Sequence, residues 1–169
     1  MNTLVAANIA CLEQGLAFLN SLPPGRYGES CPEVFGSSIG GHMRHNVDHC
    51  AALLAGLPDG EVDYDSRERN PAIEVEPQAA AGVLLRLREG FEALAETDLD
   101  QPLRIRMDDG GGSDWSATSL RRELQFLLSH TIHHYALMVS IATRQGIQSF
   151  PEGFGVAPST LSYQARRDA

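Results

Sequence analysis

The sequence predicts an all-α protein, a four-helix bundle joined by long crossover loops. Apolar residues recur every three or four positions in four separate stretches, which is the spacing of helices that bury one face. Proline and glycine separate these stretches. Only residues 103–107 alternate apolar and polar side chains as a strand does, which is too little to predict a sheet.

The first two helices are predicted over about residues 3–20 and 39–57. Pro23 and Pro24 follow the first apolar pattern, and a helix rarely continues through such a pair. Ser38 precedes the second pattern and can cap it, because its hydroxyl accepts a hydrogen bond from a backbone N–H that the first turn leaves free. Pro58 ends that helix.

The other two helices are predicted over about residues 77–96 and 119–145. Pro77 suits the first turn of a helix, where its missing N–H costs nothing. Either Ser116 or Thr118 can cap the last helix, and Gly146 suits its C-terminal end.

Long connections are predicted at about residues 22–37, 58–76 and 97–117. They are too long for simple hairpins, so they can cross the bundle from end to end, and loops of this length usually cover a site. Residues 147–169 are more apolar than a free tail, so we expect this segment to dock as a lid or as a dimer contact. Two-fold dimers are the commonest oligomers, and we expect a homodimer of a single domain, residues 1–169.

The composition excludes several classes of function. A net charge of −9 argues against a nucleic-acid partner, because such proteins present a basic face. All 13 basic residues are arginine, so Schiff-base chemistry on lysine is excluded. No apolar run is long enough to span a membrane, and the N-terminal stretch lacks a basic region and contains Glu13, unlike a signal peptide. We therefore expect a cytoplasmic protein.

All six histidines lie in two short clusters, one on the predicted second helix and one on the predicted fourth: His42, His45 and His49, then His130, His133 and His134. Residues four apart in a helix share a face, so His45 stacks with His49, and His130 with His134. Each pair continues the apolar stripe that should face the core. Several buried imidazoles without a shared purpose would cost desolvation, and we therefore predict a site for one divalent transition metal.

The residues around this site predict its type. A closed structural zinc site usually recruits cysteines, and the three cysteines, Cys11, Cys31 and Cys50, have no suitable spacing. A di-iron centre needs several carboxylates, whereas residues 120–134 contain only Glu123. Three imidazoles would leave a coordination position for water or substrate, which is the catalytic arrangement.

The two histidine motifs together resemble the DinB/YfiT-like superfamily of metalloenzymes. They are H-x-x-H-x-x-D at residues 42–48 and H-x-x-H-H at residues 130–134. Residues 62–69 and 154–160 resemble an uncharacterised bacterial subset of that superfamily. The resemblance implies a DinB/YfiT-like four-helix bundle in which zinc or nickel is bound by His45, His130 and His134. It leaves His133 to pack or to meet a neighbouring subunit, and His42 and His49 to hydrogen-bond the ligands. His49 replaces His45 if the register of the second helix is shifted by one turn.

The resemblance also implies a chemistry. Relatives include transferases and isomerases that use a low-molecular-weight thiol, so it implies a metal-dependent thiol S-transferase or a hydrolase, in which the ion activates a thiol or water. Glu123 and Tyr64 are candidates for proton transfer. The alternative is a non-catalytic protein that uses the metal to bind a small ligand or to respond to stress.

The loop from Tyr64 to Arg69 is a candidate substrate-binding segment. Arg67 and Arg69 can present two guanidiniums to an anionic substrate. Alternatively, local Asp–Arg pairs latch the loop in place.

Overall fold

The computed structural model describes residues 2–112 and 114–167 and shows a mostly helical protein with a small sheet. Four long helices make up most of it: α1 (Thr3–Ser21), α2 (Ile39–Gly56), α4 (Pro77–Glu92) and α5 (Leu120–Arg144). Helices α1 and α2 each pack against both α4 and α5. Among the described helices, none is long and apolar enough to cross a lipid bilayer.

Short elements complete the chain: β1 (Glu61–Asp63), α3 (Pro71–Val75), β2 (Pro102–Arg106), β3 (Trp115–Ser119) and α6 (Pro158–Arg167), with a 3-10 turn at Leu57–Asp59. Helix α4 stops at Glu92 rather than near residue 96, because turns take up the following residues. The predicted cap Ser38 accepts from the Gly41 N–H. At α5 the cap is Ser119, not Ser116 or Thr118, which lie within β3.

The prediction of a purely all-α fold is corrected by a three-stranded sheet of order β1-β2-β3. The central strand β2 is the alternating segment noted in the sequence, and it pairs parallel with β1 and antiparallel with β3. Strand β1 has only three residues, too few to show alternation, and Glu61 pairs with Arg104 across 43 positions of sequence. Such pairing is decided by tertiary contacts rather than by local pattern.

The sheet connects the two helices that carry the histidines. Strand β1 follows α2 after a single 3-10 turn, and β3 leads directly into α5. Glycines allow α2 to approach its neighbours closely: a side chain at Gly40 would collide with the carbonyl of Glu74, and one at Gly56 with the carbonyl of Glu61. The C-terminal end of α2 and the N-terminal end of α5 are therefore held together by backbone pairing.

The segment after α5 folds back on the bundle. Phe154 is buried, and its ring centroid lies 4.3 Å from that of Tyr135 and 4.5 Å from that of Phe18. By contrast, no described residue of α6 is buried, and Leu161 and Tyr163 are exposed. Residues 168 and 169 of the segment predicted to dock lie outside the described part of the chain.

Candidate metal centre

Helices α2 and α5 bring five histidines together between them. Ligand nitrogens of His45, His49 and His130 all lie within 4.8 Å of one another. Among these three rings, the closest nitrogens are Nε2 of His45 and Nε2 of His130, which are 3.1 Å apart. The two helices face each other along these stripes because the imidazoles continue the apolar face of each.

The geometry of this group fits a metal ion. Metal–nitrogen bonds of about 2.0–2.1 Å at tetrahedral angles place ligand nitrogens roughly 3.3 Å from one another. Nε2 of His45 and of His130 are already close to that spacing at 3.1 Å, and the nitrogen of His49 lies within 4.8 Å of both. His130 also carries a buried Nδ1 that makes no hydrogen bond to any described residue, on the opposite edge of the ring from the Nε2 that faces His45.

The protonation state of the group also suits a metal. Burial is the largest cause that lowers the pKa of His45 and of His130 from the ordinary value near 6.5 to about 4. Burial likewise lowers the pKa of His49 to about 3, although its hydrogen bond to the carbonyl of His45 opposes the shift. All three imidazoles are therefore neutral at pH 7, the form that binds metals.

The tautomer of His49 is determined by a backbone contact. Its Nδ1 lies 2.8 Å from the carbonyl oxygen of His45, and a carbonyl can only accept, so Nδ1 carries the proton. The lone pair of the ring is then on Nε2. Metal-binding histidines commonly use their other nitrogen in this way, since the contact orients the ring.

His134, the third ligand implied by the resemblance, lies one turn further along α5. Its ring centroid is 4.5 Å from that of His45 and 4.6 Å from that of His130, but its Nδ1 lies 2.9 Å from Nδ1 of His42. The structure thus forms two imidazole pairs, His45–His130 and His42–His134, with His49 beside the first. The ligand set His45, His130 and His134 stays a prediction, and His49 is the closer third nitrogen in this conformation.

The remaining histidine lies outside this arrangement. His133 is exposed; its ring contacts that of His134 edge-on, at 5.2 Å between centroids, and its charge contributes to the lowered pKa of His130. Its position one residue before His134 turns it toward the outer face of α5, as the helical spacing predicts.

The two arginines of the candidate substrate-binding loop differ in position. Arg67 is half-buried, donates a hydrogen bond to the carbonyl of Tyr64, and its positive charge contributes to the lowered pKa of His45, His49 and His130. Arg69 is exposed, and it acts on Asp48 rather than on the histidines. Only Arg67 therefore lies at the histidine cluster.

The two candidates for proton transfer form a buried pair beside the cluster. Glu123 is 3% exposed and accepts hydrogen bonds from the Tyr64 hydroxyl at 2.9 Å and from the Thr118 hydroxyl at 2.7 Å. The Tyr64 ring stacks on His49 with 5.4 Å between centroids. Burial, followed by the negative charge of Glu123, raises the pKa of Tyr64, so the phenol stays protonated and donates.

Two neighbours of the site were not anticipated from the sequence. Thr118 lies in β3, where no spacing relates it to Glu123 before the sheet forms. Phe126 stacks on His130 with 5.2 Å between ring centroids. Its position four residues before His130 on a predicted helix is the signal that would have found it.

Comparison with known proteins agrees with this architecture. The sequence profile of the DinB superfamily matches residues 10–138. A crystal structure of a DinB-like protein, YjoA, from Bacillus subtilis superposes with a TM-score of 0.65 at 17% identity and covers 90% of this chain and 98% of that one, which shows the fold. FK506-binding protein 5 of Rhizopus delemar is 33% identical over 105 residues, 60% of this chain and 27% of that protein, so the chain spans about a quarter of that relative's length.

The matched region runs from within α1 through α2 and far into α5, and so contains all of the clustered histidines. The resemblance noted in the two histidine motifs is confirmed by it. Because the profile covers well over half of the sequence, the chain belongs to the DinB superfamily.

Proposed function

We propose that this protein is a metal-dependent enzyme, in which histidines of α2 and α5 hold one divalent ion and substrate enters the remaining coordination position. The observation that carries the proposal is the group of three neutral imidazole nitrogens within 4.8 Å on two facing helices. Zinc and nickel both suit imidazole ligands. A bound ion of this kind lowers the pKa of a coordinated water or thiol toward neutrality, which supplies a nucleophile.

The protein groups around the site have separate roles in this proposal. His45 and His130 hold the ion from opposite helices, and the carbonyl of His45 keeps the proton of His49 on Nδ1. Arg67 places a positive charge beside neutral imidazoles, where it would attract a thiolate or a carboxylate of the substrate. Tyr64 packs against His49 and holds its ring in place.

We propose a low-molecular-weight thiol or water as the activated group, which makes the reaction a thiol S-transfer or a hydrolysis. The alternative is a non-catalytic protein, and the environment of Glu123 supports it. Both carboxylate oxygens of Glu123 already accept hydrogen bonds, from Tyr64 and Thr118, so Glu123 is engaged in structure rather than available as a base. A protein that uses the metal only to hold a small ligand, or to respond to stress, would have no need of that base.

Turnover distinguishes the two functions. Protein loaded with zinc or nickel is incubated with cysteine, glutathione or another small thiol and a chromogenic electrophile, and in parallel with ester and amide substrates. The enzyme is supported by turnover that disappears in His45→Ala and persists in His133→Ala, a matched histidine outside the cluster. Saturable thiol binding to the metal-loaded protein without turnover would support the non-catalytic alternative.

We also propose that the protein acts as a homodimer. The supporting observation is that α6 leaves Leu161 and Tyr163 exposed, 38% and 56% respectively, next to a segment that docks on the bundle. Burial of such side chains between two copies would stabilise a pair. Light scattering at micromolar concentration measures the mass directly, and a mass near 18.3 kDa would rule the dimer out.

A further inference from the structure

His42 is a histidine of the cluster to which the proposed function gives no role. It is half-buried on α2, and its Nδ1 lies 2.9 Å from Nδ1 of His134. The two rings offer two facing nitrogens, whereas zinc sites in proteins use three or four protein ligands. Among the described residues, the group of three converging ligand atoms belongs to His45, His49 and His130 instead. The His42–His134 pair is therefore not a metal site by itself.

His134 lies close enough to the candidate metal centre to close it. Its ring centroid is 4.5 Å from that of His45 and 4.6 Å from that of His130. If Nε2 of His134 joined His45, His49 and His130, the ion would have four histidine ligands, which is the closed arrangement of structural zinc sites. The proposed enzyme needs one position for substrate, so whether the centre is open depends on the lone pair of His134.

The contact between the two Nδ1 atoms determines where that lone pair is. Burial lowers the pKa of His134 to about 3 and also lowers that of His42, so both rings are neutral at pH 7. Between neutral imidazoles, one Nδ1 donates and the other accepts. If His42 donates, His134 carries its proton on Nε2 and has no lone pair left for a metal. If His134 donates, its Nε2 is available as a ligand and His42 is protonated on Nε2.

The surroundings of His42 favour the arrangement in which His42 donates. Each arrangement has one ring protonated on Nδ1 and one on Nε2, so the intrinsic preference of imidazole cancels. Nε2 of His42 is buried and has no hydrogen-bond partner among the described residues, whereas Nε2 of His134 is not such an atom. Buried N–H groups without an acceptor are rarer in native proteins than under-satisfied acceptors. A lone pair on Nε2 of His42 is therefore preferred to a proton there.

We propose that His42 is a positioning residue that holds His134 in the tautomer that cannot bind a metal, and so keeps a coordination position open for substrate. This inference rests on the proposed function. It also explains why the two neighbours of the His45–His130 pair differ. The carbonyl of His45 accepts from Nδ1 of His49, which leaves a lone pair on Nε2 of that ring, whereas His42 donates to Nδ1 of His134, which leaves a proton there.

The first test reads the tautomers directly and needs no metal. Long-range proton–nitrogen correlation spectra of the chelator-treated, ¹⁵N-labelled full chain at neutral pH distinguish rings protonated on Nδ1 from rings protonated on Nε2. His42 should be protonated on Nδ1 and His134 on Nε2, with the signals assigned by their loss in His42→Ala and in His134→Ala. The reverse assignment, with the proton of His134 on Nδ1, would overturn the proposal.

The second test measures zinc affinity by competition with a chromogenic chelator. His42→Ala should bind zinc at least about tenfold more tightly than the parent, because His134 is then free to present a lone pair as a fourth ligand. The double variant His42→Ala/His134→Ala should return to the affinity of the parent. His133→Ala, an exposed histidine on the same helix, should leave the affinity unchanged. Zinc affinity that is unchanged or lower in His42→Ala would contradict the proposal.

A third measurement follows the open position itself, with 2-mercaptoethanol as the probe and cobalt(II) in place of zinc. The parent should bind the thiol, seen as a sulfur-to-cobalt charge-transfer band. His42→Ala should bind the thiol at least about tenfold more weakly, and the double variant should recover, a rescue that a merely structural role of His42 would not produce. Equal thiol binding in parent and His42→Ala would also overturn the proposal. Failure of the proposed function would appear differently, as a parent protein that binds no zinc, whatever its tautomers.

Discussion

Nε2 of His45 and Nε2 of His130 face each other at 3.1 Å from two different helices. Both rings are neutral at pH 7, so the pair can share one proton between two lone pairs or direct both lone pairs to a metal ion. His45 and His130 belong both to the ligand set that the resemblance implies and to the three nitrogens that lie closest in the structure. The two candidate ligand sets therefore share this pair and differ only in the third ligand.

Metal content should depend on His130 and not on its neighbour His133. We expect about one zinc or nickel per chain, most of which is lost in His130→Ala, because the ring supplies a facing nitrogen. His133→Ala, an exposed control on the same helix, should retain it. Elemental analysis of the purified variants measures both. Full occupancy in both variants would contradict the assignment of His130 as a ligand.

The third ligand is identified by comparing His49→Ala with His134→Ala. The proton of His49 is on Nδ1, so its Nε2 carries the lone pair, whereas Nδ1 of His134 contacts His42 at 2.9 Å. We therefore expect His49→Ala to weaken zinc binding by roughly tenfold or more, measured by competition with a chromogenic chelator. A larger loss in His134→Ala, with His49→Ala close to the parent, would assign the third position to His134 as the resemblance implies.

Acid should destabilise the metal-free protein. Burial lowers the pKa of His45 and His130 to about 4 and of His49 and His134 to about 3, against an ordinary value near 6.5. Between about pH 6.5 and pH 4 the unfolded chain therefore binds more protons than the folded one, so stability falls as pH decreases through this window. Melting temperatures of chelator-treated protein, measured across this pH range, should show the decrease. In His49→Gln the melting temperature should depend less on pH. An equal pH dependence in parent and variant would mean that His49 makes no contribution.

Tyr64→Phe should affect stability more than metal binding. The change removes the hydroxyl that donates to Glu123 at 2.9 Å and leaves a buried carboxylate with Thr118 as its remaining donor among the described residues. We expect a loss of about 1–3 kcal/mol in unfolding free energy, measured by denaturant titration. The ring that stacks on His49 is retained, so the metal content should hold. A loss of metal at unchanged stability would instead place the phenol in the metal site.

Arg67→Ala and Arg69→Ala test the loop that follows β1. Arg67 lies at the histidine cluster, so its removal should weaken binding of a carboxylate-bearing thiol such as cysteine by about 1.5–3 kcal/mol, provided that metal is retained. Arg69 is exposed and should matter far less. Calorimetric titration of both variants measures ligand binding, and their melting temperatures show whether either arginine holds the loop in place. A lower melting temperature with unchanged affinity for Arg67→Ala would indicate that this arginine only holds the loop through the Tyr64 carbonyl.

The long helices and the histidine stripes were predictable from the sequence. Apolar spacing located α1, α2, α4 and α5, because a helix that buries one face must repeat its apolar residues every three or four positions. The same geometry ensures that His130 and His134 share a face of α5 wherever that helix packs. Motif spacing was also sufficient to indicate the DinB superfamily.

The sheet and the contacts across the cluster were decided by tertiary structure. Strand β1 is recognisable only through its pairing with β2, since three residues carry no period of their own. Helical spacing places His42, His45 and His49 along one side of α2, but it does not set the height at which α5 meets them. That height depends on the strands that join the two helices, and through it packing determines that His45 faces His130 while His134 faces His42.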